Sequence, residues 1–287
     1  MITSAFDYAR AESVEDAVQL LVESGGEAKL LAGGHSLLPL MKIRLTTLDK
    51  LIDIGQIDEL KGVRKEGDRL VVGALTTHKE ISRDPVVKRE LPLLAEAASQ
   101  IGDIQVRNRG TIGGNLAHAD PASDLPAVAM AFDARFEMQG PNGKESLGVD
   151  EFFFGPLITA LPENTVLTSI SFSIPPEGVK STYLKYPHPA SGYAVIGVAA
   201  GIGKASDGTV NFARIGITGV GDVAFRAEAT EQMLISQRLT AELIDEAAGK
   251  ADEGQEMGSD LFASDHYRQN LCKVYTSRAL KKLLADE

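Results

Sequence analysis

The chain has 287 residues, 44% of them hydrophobic and 24% charged, which is ordinary for a soluble globular protein with one large or two to three small domains. Its formal net charge of −11 argues against nucleic-acid binding, because phosphates require a basic face. No stretch approaches the roughly 20 apolar residues that cross a bilayer, and the first residues lack the pattern of a signal peptide. The single cysteine, Cys272, excludes an internal disulfide and a cysteine-ligated cluster. We expect a cytoplasmic protein.

Helix and strand signals alternate over the first 60 residues. Ser13 fits a capping box, apolar residues recur at helical spacing after it, and the spacing predicts a helix over 13–24. Short apolar runs at 28–33 and 50–55 predict two strands. A helix beside two short strands indicates a small α/β unit.

Hairpins and helices alternate over the next part of the chain. Turn signals at 66–68 and 141–143 predict two β-hairpins, and 164–175 predicts a strand. Thr77 followed by Glu80, and Asp84 before Pro85, are helix-start signals, and a helix is predicted over 91–101.

The clearest boundary is the stretch PPEG at 175–178. Two long strands joined by a turn at 206–208 follow it, and then helices over 226–236, 240–250 and 267–285. The predicted fold class is α+β, with two small lobes at about 1–57 and 58–177 and a sheet-plus-helices domain at 178–287.

Two glycine pairs stand out, in AGGHS at 32–36 and TIGGN at 111–115. We expect each to follow a strand-like segment and to precede a helix-like one. Glycine allows backbone amides to approach a ligand and to turn the same way, so such a loop can hold a phosphate. Neither loop fits a P-loop or GxGxxG. From the residues alone, a clasp on a diphosphate and a pair of tight turns remain equally open.

The stretches AGGHSLLPLMKIRL at 32–45 and TIGGNLAHADPASDLPAVAMAFDA at 111–134 resemble the FAD-binding medium subunits of the molybdenum hydroxylases. This is the xanthine dehydrogenase and aerobic carbon monoxide dehydrogenase family. The sequence of the first stretch resembles the carbon monoxide dehydrogenase branch most closely. The resemblance covers nearly the whole chain. It implies the FAD fold shared with vanillyl-alcohol oxidase and MurB-type enzymes (the PCMH type) over 1–177. It also implies a C-terminal flavoprotein domain over 178–287.

The resemblance implies two loops that hold the diphosphate of a non-covalently bound FAD. The first loop would consist of Ala32, Gly33, Gly34, His35 and Ser36. The second loop would consist of Thr111, Ile112, Gly113, Gly114 and Asn115.

Five further FAD contacts are implied in the same way. Ile101 would lie beside the adenine, and Asp124 would bind the adenosine side at the ribose. Leu161 would offer a backbone contact to the flavin, while Lys185 and Tyr193 would lie near the isoalloxazine ring. The family commonly has a basic residue and a Gly-Asp pair before the tyrosine, whereas this chain has HPASG at 188–192. That departure bears on the pocket beside the ring.

The implied function is electron transfer. FAD would receive electrons singly from a [2Fe–2S] subunit and pass them to an external acceptor: a quinone, dioxygen or NAD. The molybdenum cofactor would reside in a large subunit, where the substrate would be carbon monoxide, an aldehyde, a purine or another N-heterocycle. The expected assembly is a dimer of heterotrimers. No catalytic residue is expected, because a flavin that relays electrons needs no protein base.

Two other interpretations stay open. One is a self-sufficient flavin oxidoreductase of the same fold, and the other is a non-enzymatic module in which both glycine pairs are turns. The five histidines show no metal-ligand spacing, so we expect no metal site.

Overall fold

Three sheets and one small hairpin organise residues 2–285, the part of the chain that this computed structural model describes. The first sheet is parallel, in the order β1-β3-β2, and consists of β1 (Asp7–Arg10), β2 (Ala28–Leu31) and β3 (Lys50–Asp53). Helix α1 (Val14–Glu23) connects β1 to β2, and α2 (Leu37–Lys42) follows β2. The hydroxyl of Ser13 caps α1 by accepting a hydrogen bond from the amide of Asp16 at 3.1 Å, as predicted.

The second sheet is antiparallel and has the order β4-β5-β10-β6-β7. Its strands are β4 (Val63–Glu66), β5 (Arg69–Gly73), β6 (Arg135–Gly140), β7 (Gly143–Gly148) and β10 (Val166–Ser173). Both predicted hairpins are confirmed. Gly67 and Gly143 adopt φ angles of 59° and 112°, which a residue with a β-carbon rarely adopts. The small hairpin consists of β8 (Phe153–Gly155) and β9 (Ile158–Thr159).

Six short helices pack with this sheet around a common core. They are α3 (His78–Arg83), α4 (Pro85–Glu90), α5 (Pro92–Ser99), α6 (Ile104–Arg109), α7 (Ile112–His118) and α8 (Leu125–Ala131). The helix starts predicted at Thr77 and Asp84 are confirmed by their cap hydrogen bonds. Single turns of 3₁₀-helix lie at Asp58–Leu60 and Val149–Glu151.

The third sheet is antiparallel, in the order β11-β12-β13-β14, and is flanked by three helices. The elements are β11 (Lys180–Pro187), β12 (Ala194–Lys204), β13 (Val210–Thr218), β14 (Phe225–Arg226), α9 (Glu228–Leu234), α10 (Ala241–Ala248) and α11 (Asp265–Ala285). The turn predicted at 206–208 joins β12 to β13. The α+β class is therefore confirmed.

Residues 121–124, which we call the seam, join the second region, meaning the second sheet and its six helices, to the third sheet. The carbonyl of Ala122 accepts a hydrogen bond from the amide of Ala194 at 3.1 Å, and the carbonyl of Pro121 accepts from Gly219 at 3.0 Å. The hydroxyl of Thr218 donates to the carbonyl of Ser123 at 2.8 Å. These bonds fix the start of β12 beside the segment that follows α7.

Candidate functional site, a cofactor cleft

A cleft of about 940 Å³ is lined by residues from the parts of the chain around each of the three sheets. Its volume is that of a pocket for a large cofactor. All the residues predicted to bind FAD line it except Ile112 and Lys185. Within residues 2–285, no group of three or more His, Cys, Asp or Glu side chains could hold a metal ion. No helix in that range is long and apolar enough to span a membrane.

The two glycine loops touch each other across the cleft. A β-carbon built on Gly33 would overlap the carbonyl oxygen of Arg109 and would lie 2.9 Å from the Cα of Gly110. A β-carbon on Gly114 would lie 3.9 Å from that of Ala32. The two loops therefore form adjacent walls of one site, as a clasp requires.

The second glycine loop differs from the expectation. It follows a helix, α6, rather than a strand, and its residues from Ile112 onward form the first turn of α7. The amides of Ile112 and Gly113 donate to the carbonyls of Thr76 and Ala74, at 3.0 and 2.9 Å. The amide of Gly114 donates to Thr111 Oγ1 at 3.2 Å. Protein acceptors occupy these three amides, and the contact of these residues with the diphosphate stays a prediction.

The first glycine loop retains free amides. Among the described residues, no acceptor is placed for the backbone amides of the four residues at 33–36. Gly34 has a φ of +75°, in the left-handed region that turns neighbouring amides toward one side. Successive amides of this kind form a concavity that binds anions.

The second loop contributes side-chain donors instead. Thr111 Oγ1 accepts the hydrogen bond from Gly114, so its own hydrogen is available to a ligand. Asn115 Oδ1 accepts the hydroxyl hydrogen of Ser123 at 2.7 Å, which assigns the amide nitrogen of Asn115 as the free donor. Backbone amides on one wall and side-chain donors on the other fit a diphosphate.

A buried polar cluster lies where the seam meets the third sheet. Asp124 Oδ1 accepts a hydrogen bond from the hydroxyl of Tyr183 at 2.6 Å, and its Oδ2 accepts from Lys185 Nζ at 2.9 Å. Lys185 Nζ also donates to the carbonyl of Gln100 at 3.2 Å. Burial raises the pKa of Asp124 against the opposing attraction of Lys185, and burial also raises the pKa of Tyr183. Lys185 thus neutralises Asp124 within the wall and does not line the cleft.

This cluster connects residues that the family resemblance assigned to different halves of FAD. Ile101 and Asp124 were assigned to the adenosine, whereas Lys185 and Tyr193 were assigned to the flavin. Lys185 contacts both Asp124 and the residue before Ile101, and the charge of Asp124 contributes to a raised pKa of Tyr193. The four residues are therefore connected through Asp124 and Lys185, and their division between adenosine and flavin stays a prediction.

Tyr193 lines the cleft and lies on a tight turn. Its carbonyl accepts a hydrogen bond from the amide of His188 at 2.7 Å, and Gly192 has a φ of +73°. Tyr193 is 45% exposed, so its ring is accessible at the cleft wall. Burial is the main cause of its raised pKa, followed by the charges of Asp120 and Asp124. The sequence HPASG therefore builds the turn that presents Tyr193.

Leu161 lines the cleft beside the small hairpin. Its amide donates to Thr159 Oγ1 at 3.3 Å, so the carbonyl is the backbone group left for a ligand. Several other lining residues were not predicted, namely His78, residues 28–30, residues 157–159 and residues 163–166. These segments carry no motif, and only the tertiary fold brings them to the cleft.

Two family descriptions cover most of the chain. Residues 4–176 match the FAD binding domain in molybdopterin dehydrogenase, and residues 181–283 match the CO dehydrogenase flavoprotein C-terminal domain.

Individual relatives match along their whole length. The chain is 41% identical to the carbon monoxide dehydrogenase medium chain of Hydrogenophaga pseudoflava, over 98% of this chain and 97% of that relative. It is 35% identical to the glyceraldehyde dehydrogenase medium chain of Sulfolobus acidocaldarius, over 99% of this chain and 100% of that relative. The solved carbon monoxide dehydrogenase from Hydrogenophaga pseudoflava that lacks the Mo-pyranopterin moiety matches with a TM-score of 0.93 and 43% identity, covering 98% of each chain.

The fold and the cleft define a flavoprotein, in which an FAD-binding domain is completed by a C-terminal sheet. The chain belongs to the family of FAD-binding medium subunits of the molybdenum hydroxylases and is an oxidoreductase subunit similar to the carbon monoxide dehydrogenase medium chains. The predicted family, fold type and FAD cofactor are thereby confirmed.

Proposed function

We propose that this chain binds FAD in the cleft with the diphosphate between the two glycine loops and relays electrons through the flavin. The observation that supports this proposal is the contact of Gly33 with residues 109–110. It places the free backbone amides of the first loop opposite the side-chain donors of the second loop. FAD supplies the redox chemistry, while the chain binds and orients it.

In this proposal the isoalloxazine lies at the end formed by Ile101, Asp124, Leu161 and Tyr193. The adenosine then lies on the other side of the loops, along residues 28–30 and 163–166, which also line the cleft. Two lining residues of this end, Ala28 and Val166, belong to the core shared with α1 and β3. The first lobe therefore holds the adenosine, and the third sheet borders the flavin.

The proposed electron path starts at a [2Fe–2S] partner and ends at an external acceptor. Relatives are named as medium chains or subunits of larger dehydrogenases, which supports a heteromeric assembly. We assign the molybdenum cofactor to a large subunit and the iron–sulfur clusters to a small one, in a cytoplasmic dimer of heterotrimers. The similarity to the carbon monoxide dehydrogenase medium chain of Hydrogenophaga pseudoflava favours carbon monoxide as the substrate of the large subunit.

A second candidate substrate class is supported by a specific observation. A relative named as a glyceraldehyde dehydrogenase medium chain matches 99% of this chain at 35% identity. An aldehyde oxidised by the large subunit is therefore the alternative to carbon monoxide.

The test is to purify the chain alone, load it with FAD and follow the flavin absorbance. We expect bleaching by a chemical reductant, but not by carbon monoxide or by aldehydes. Adding the two partner subunits should make bleaching depend on one of these substrates. Direct bleaching of the isolated chain by an organic substrate would instead establish a self-sufficient oxidoreductase. A chain that binds no flavin would support the non-enzymatic module.

A further inference from the structure

His78 is a buried imidazole in the cleft wall, and the described residues give neither of its ring nitrogens a hydrogen-bond partner. The residue is 2% exposed and lines the cleft. Nδ1 is fully buried and unpaired. A β-carbon on Gly110 would lie 2.9 Å from Cδ2 and 3.1 Å from Nε2, so this edge of the ring packs on Gly110. Buried polar atoms in native proteins are almost always paired, and exceptions often mark a ligand site.

The position of His78 associates it with the diphosphate rather than with either end of FAD. Its amide donates to the carbonyl of Gly110 at 3.0 Å, immediately before the Thr111 donor. His35 of the first loop lies near enough to lower the pKa of His78. His78 therefore stands where the two loops meet.

We propose that His78 is a cofactor-binding residue whose Nε2 donates a hydrogen bond to a diphosphate oxygen of FAD, an inference that rests on the proposed function. Nε2 is the nitrogen on the ring edge that packs on Gly110, and Gly110 and His78 both line the cleft, whereas Nδ1 is enclosed. The donor is consequently the Nε2–H tautomer of a neutral ring.

The electrostatic surroundings keep this ring neutral before the cofactor binds. Burial lowers the pKa of His78 to about 4, and the charges of His35 and Arg107 act in the same direction. On its own helix, the carboxylate of Glu80 is engaged by Thr77, and Lys79 is a further cation. A diphosphate would bring negative charge into these cationic surroundings.

The test uses the full chain labelled with ¹⁵N-histidine, whose five imidazoles are few enough to assign by NMR. FAD and ADP, which carry a diphosphate, should each shift the His78 Nε2 resonance. Riboflavin, which lacks phosphate, should leave it unchanged. Bound FAD without any shift at His78 would overturn the inference while leaving the proposed function intact. A chain that binds no FAD would overturn both.

Matched variants separate hydrogen bonding from packing. The amide nitrogen of glutamine can stand where Nε2 stands, whereas asparagine reaches only the position of Nδ1. We expect His78→Gln to keep FAD affinity, and His78→Asn and His78→Phe to weaken it about tenfold to a hundredfold, as for loss of a hydrogen bond to a charged group. Equal affinities for the glutamine and phenylalanine variants would contradict the proposal. The NMR measurement decides the question even if a variant fails to fold.

Discussion

Gly33 is the first glycine of its pair and Gly114 the second glycine of the other pair, and the structure requires them for different reasons. Gly33 is packed against rigid backbone, since a β-carbon would overlap the carbonyl oxygen of Arg109. At Gly114 the nearest atom to an added β-carbon is the hydroxyl of Thr111, at 2.9 Å, and a side chain can move. Gly33 keeps the two loops in contact, and Gly114 keeps space for the ligand.

We expect Gly33→Ala to lower the free energy of unfolding of the FAD-free chain by about 1–3 kcal/mol, because the loops must separate. Gly114→Ala should cost less stability and should mainly weaken FAD binding. Denaturant unfolding and flavin titration of both variants measure the two effects. A larger stability loss at Gly114 would contradict this assignment.

The pKa of His78 predicts a pH dependence of stability. Its folded value of about 4 lies below the 6.5 of an unperturbed histidine, so the unfolded chain binds more protons between these values. The free energy of unfolding should therefore be unaffected by His78 above pH 6.5. It should fall by about 3 kcal/mol as the pH decreases from 6.5 through 4. Carboxylates titrate in the same range, so the comparison is between the wild type and His78→Phe, which should lack this component.

Residues of the site were predictable where a local pattern carries the chemistry. Glycine pairs with a threonine and an asparagine beside them can be found in the sequence, because conformational freedom and hydrogen-bond donors belong to residue types. His78 could not be found in this way. Its significance depends on burial and on missing partners, which arise only when α3 packs under Gly110.

At the scale of elements, α7 links local structure to binding, because its N-terminal residue serves two purposes. Thr111 caps the helix through Gly114 and also presents its hydroxyl hydrogen to the cleft. Thr240 caps α10 in the same way, accepting from Leu243 at 3.2 Å, and does not line the cleft. It is therefore a matched control.

Both Thr111→Val and Thr240→Val should lower the free energy of unfolding by about 1 kcal/mol through loss of the cap. Only Thr111→Val should also weaken FAD binding, measured by flavin fluorescence. If the two variants bound FAD equally well, the hydroxyl of Thr111 would be a structural group alone.

The elements that the sequence predicted correctly are those with local signals. Hairpins with glycine at their turns and helices with capping residues depend on neighbours within a few positions. The strand β1 gave no such signal. It is defined by its pairing with the distant strand β3, in which Asp7 lies opposite Lys50. Helix α6, where a strand was expected, did have a local signal that was missed. Asp103 caps it by accepting from the amide of Val106 at 2.8 Å.

At the scale of the whole molecule, the third sheet and the second region share one buried charge pair. Lys185 comes from β11 and Asp124 from the seam, and both side chains are at most 5% exposed. Removal of one partner leaves the other charged and buried, which costs about 3–5 kcal/mol.

We expect Asp124→Asn to lower the free energy of unfolding by about that amount, and the double variant with Lys185→Met to recover most of the loss. Denaturant unfolding of the two single variants and the double variant gives the coupling energy. Additive losses would show that the pair does not join the two regions.

The sequence identified the cofactor through family resemblance, whereas the contact between residues assigned to different halves of FAD is visible only in the fold. Asp124 and Lys185 are 61 positions apart along the chain, and no local pattern indicates that their side chains meet at 2.9 Å. The assignment of residues to the adenosine or the flavin is a statement about distances across domains. Such distances follow from the packing of the third sheet against α5 and α8, and not from the composition of any segment.

The seam has a consequence for how this subunit can change in evolution. Its carbonyl groups at Pro121, Ala122 and Ser123 hold the third sheet, and a carbonyl is the same in every residue type. Substitutions at these three positions of the seam can therefore accumulate without moving the sheet, whereas Asp124 holds the sheet through its side chain. The turn at 188–192 is attached to that sheet, and Ser191 and Gly192 line the cleft at the end proposed for the flavin. The sequence of this turn can therefore vary while the sheet that carries it keeps its position. We expect medium subunits serving different acceptors to differ in this turn while they retain the backbone hydrogen bonds of the seam.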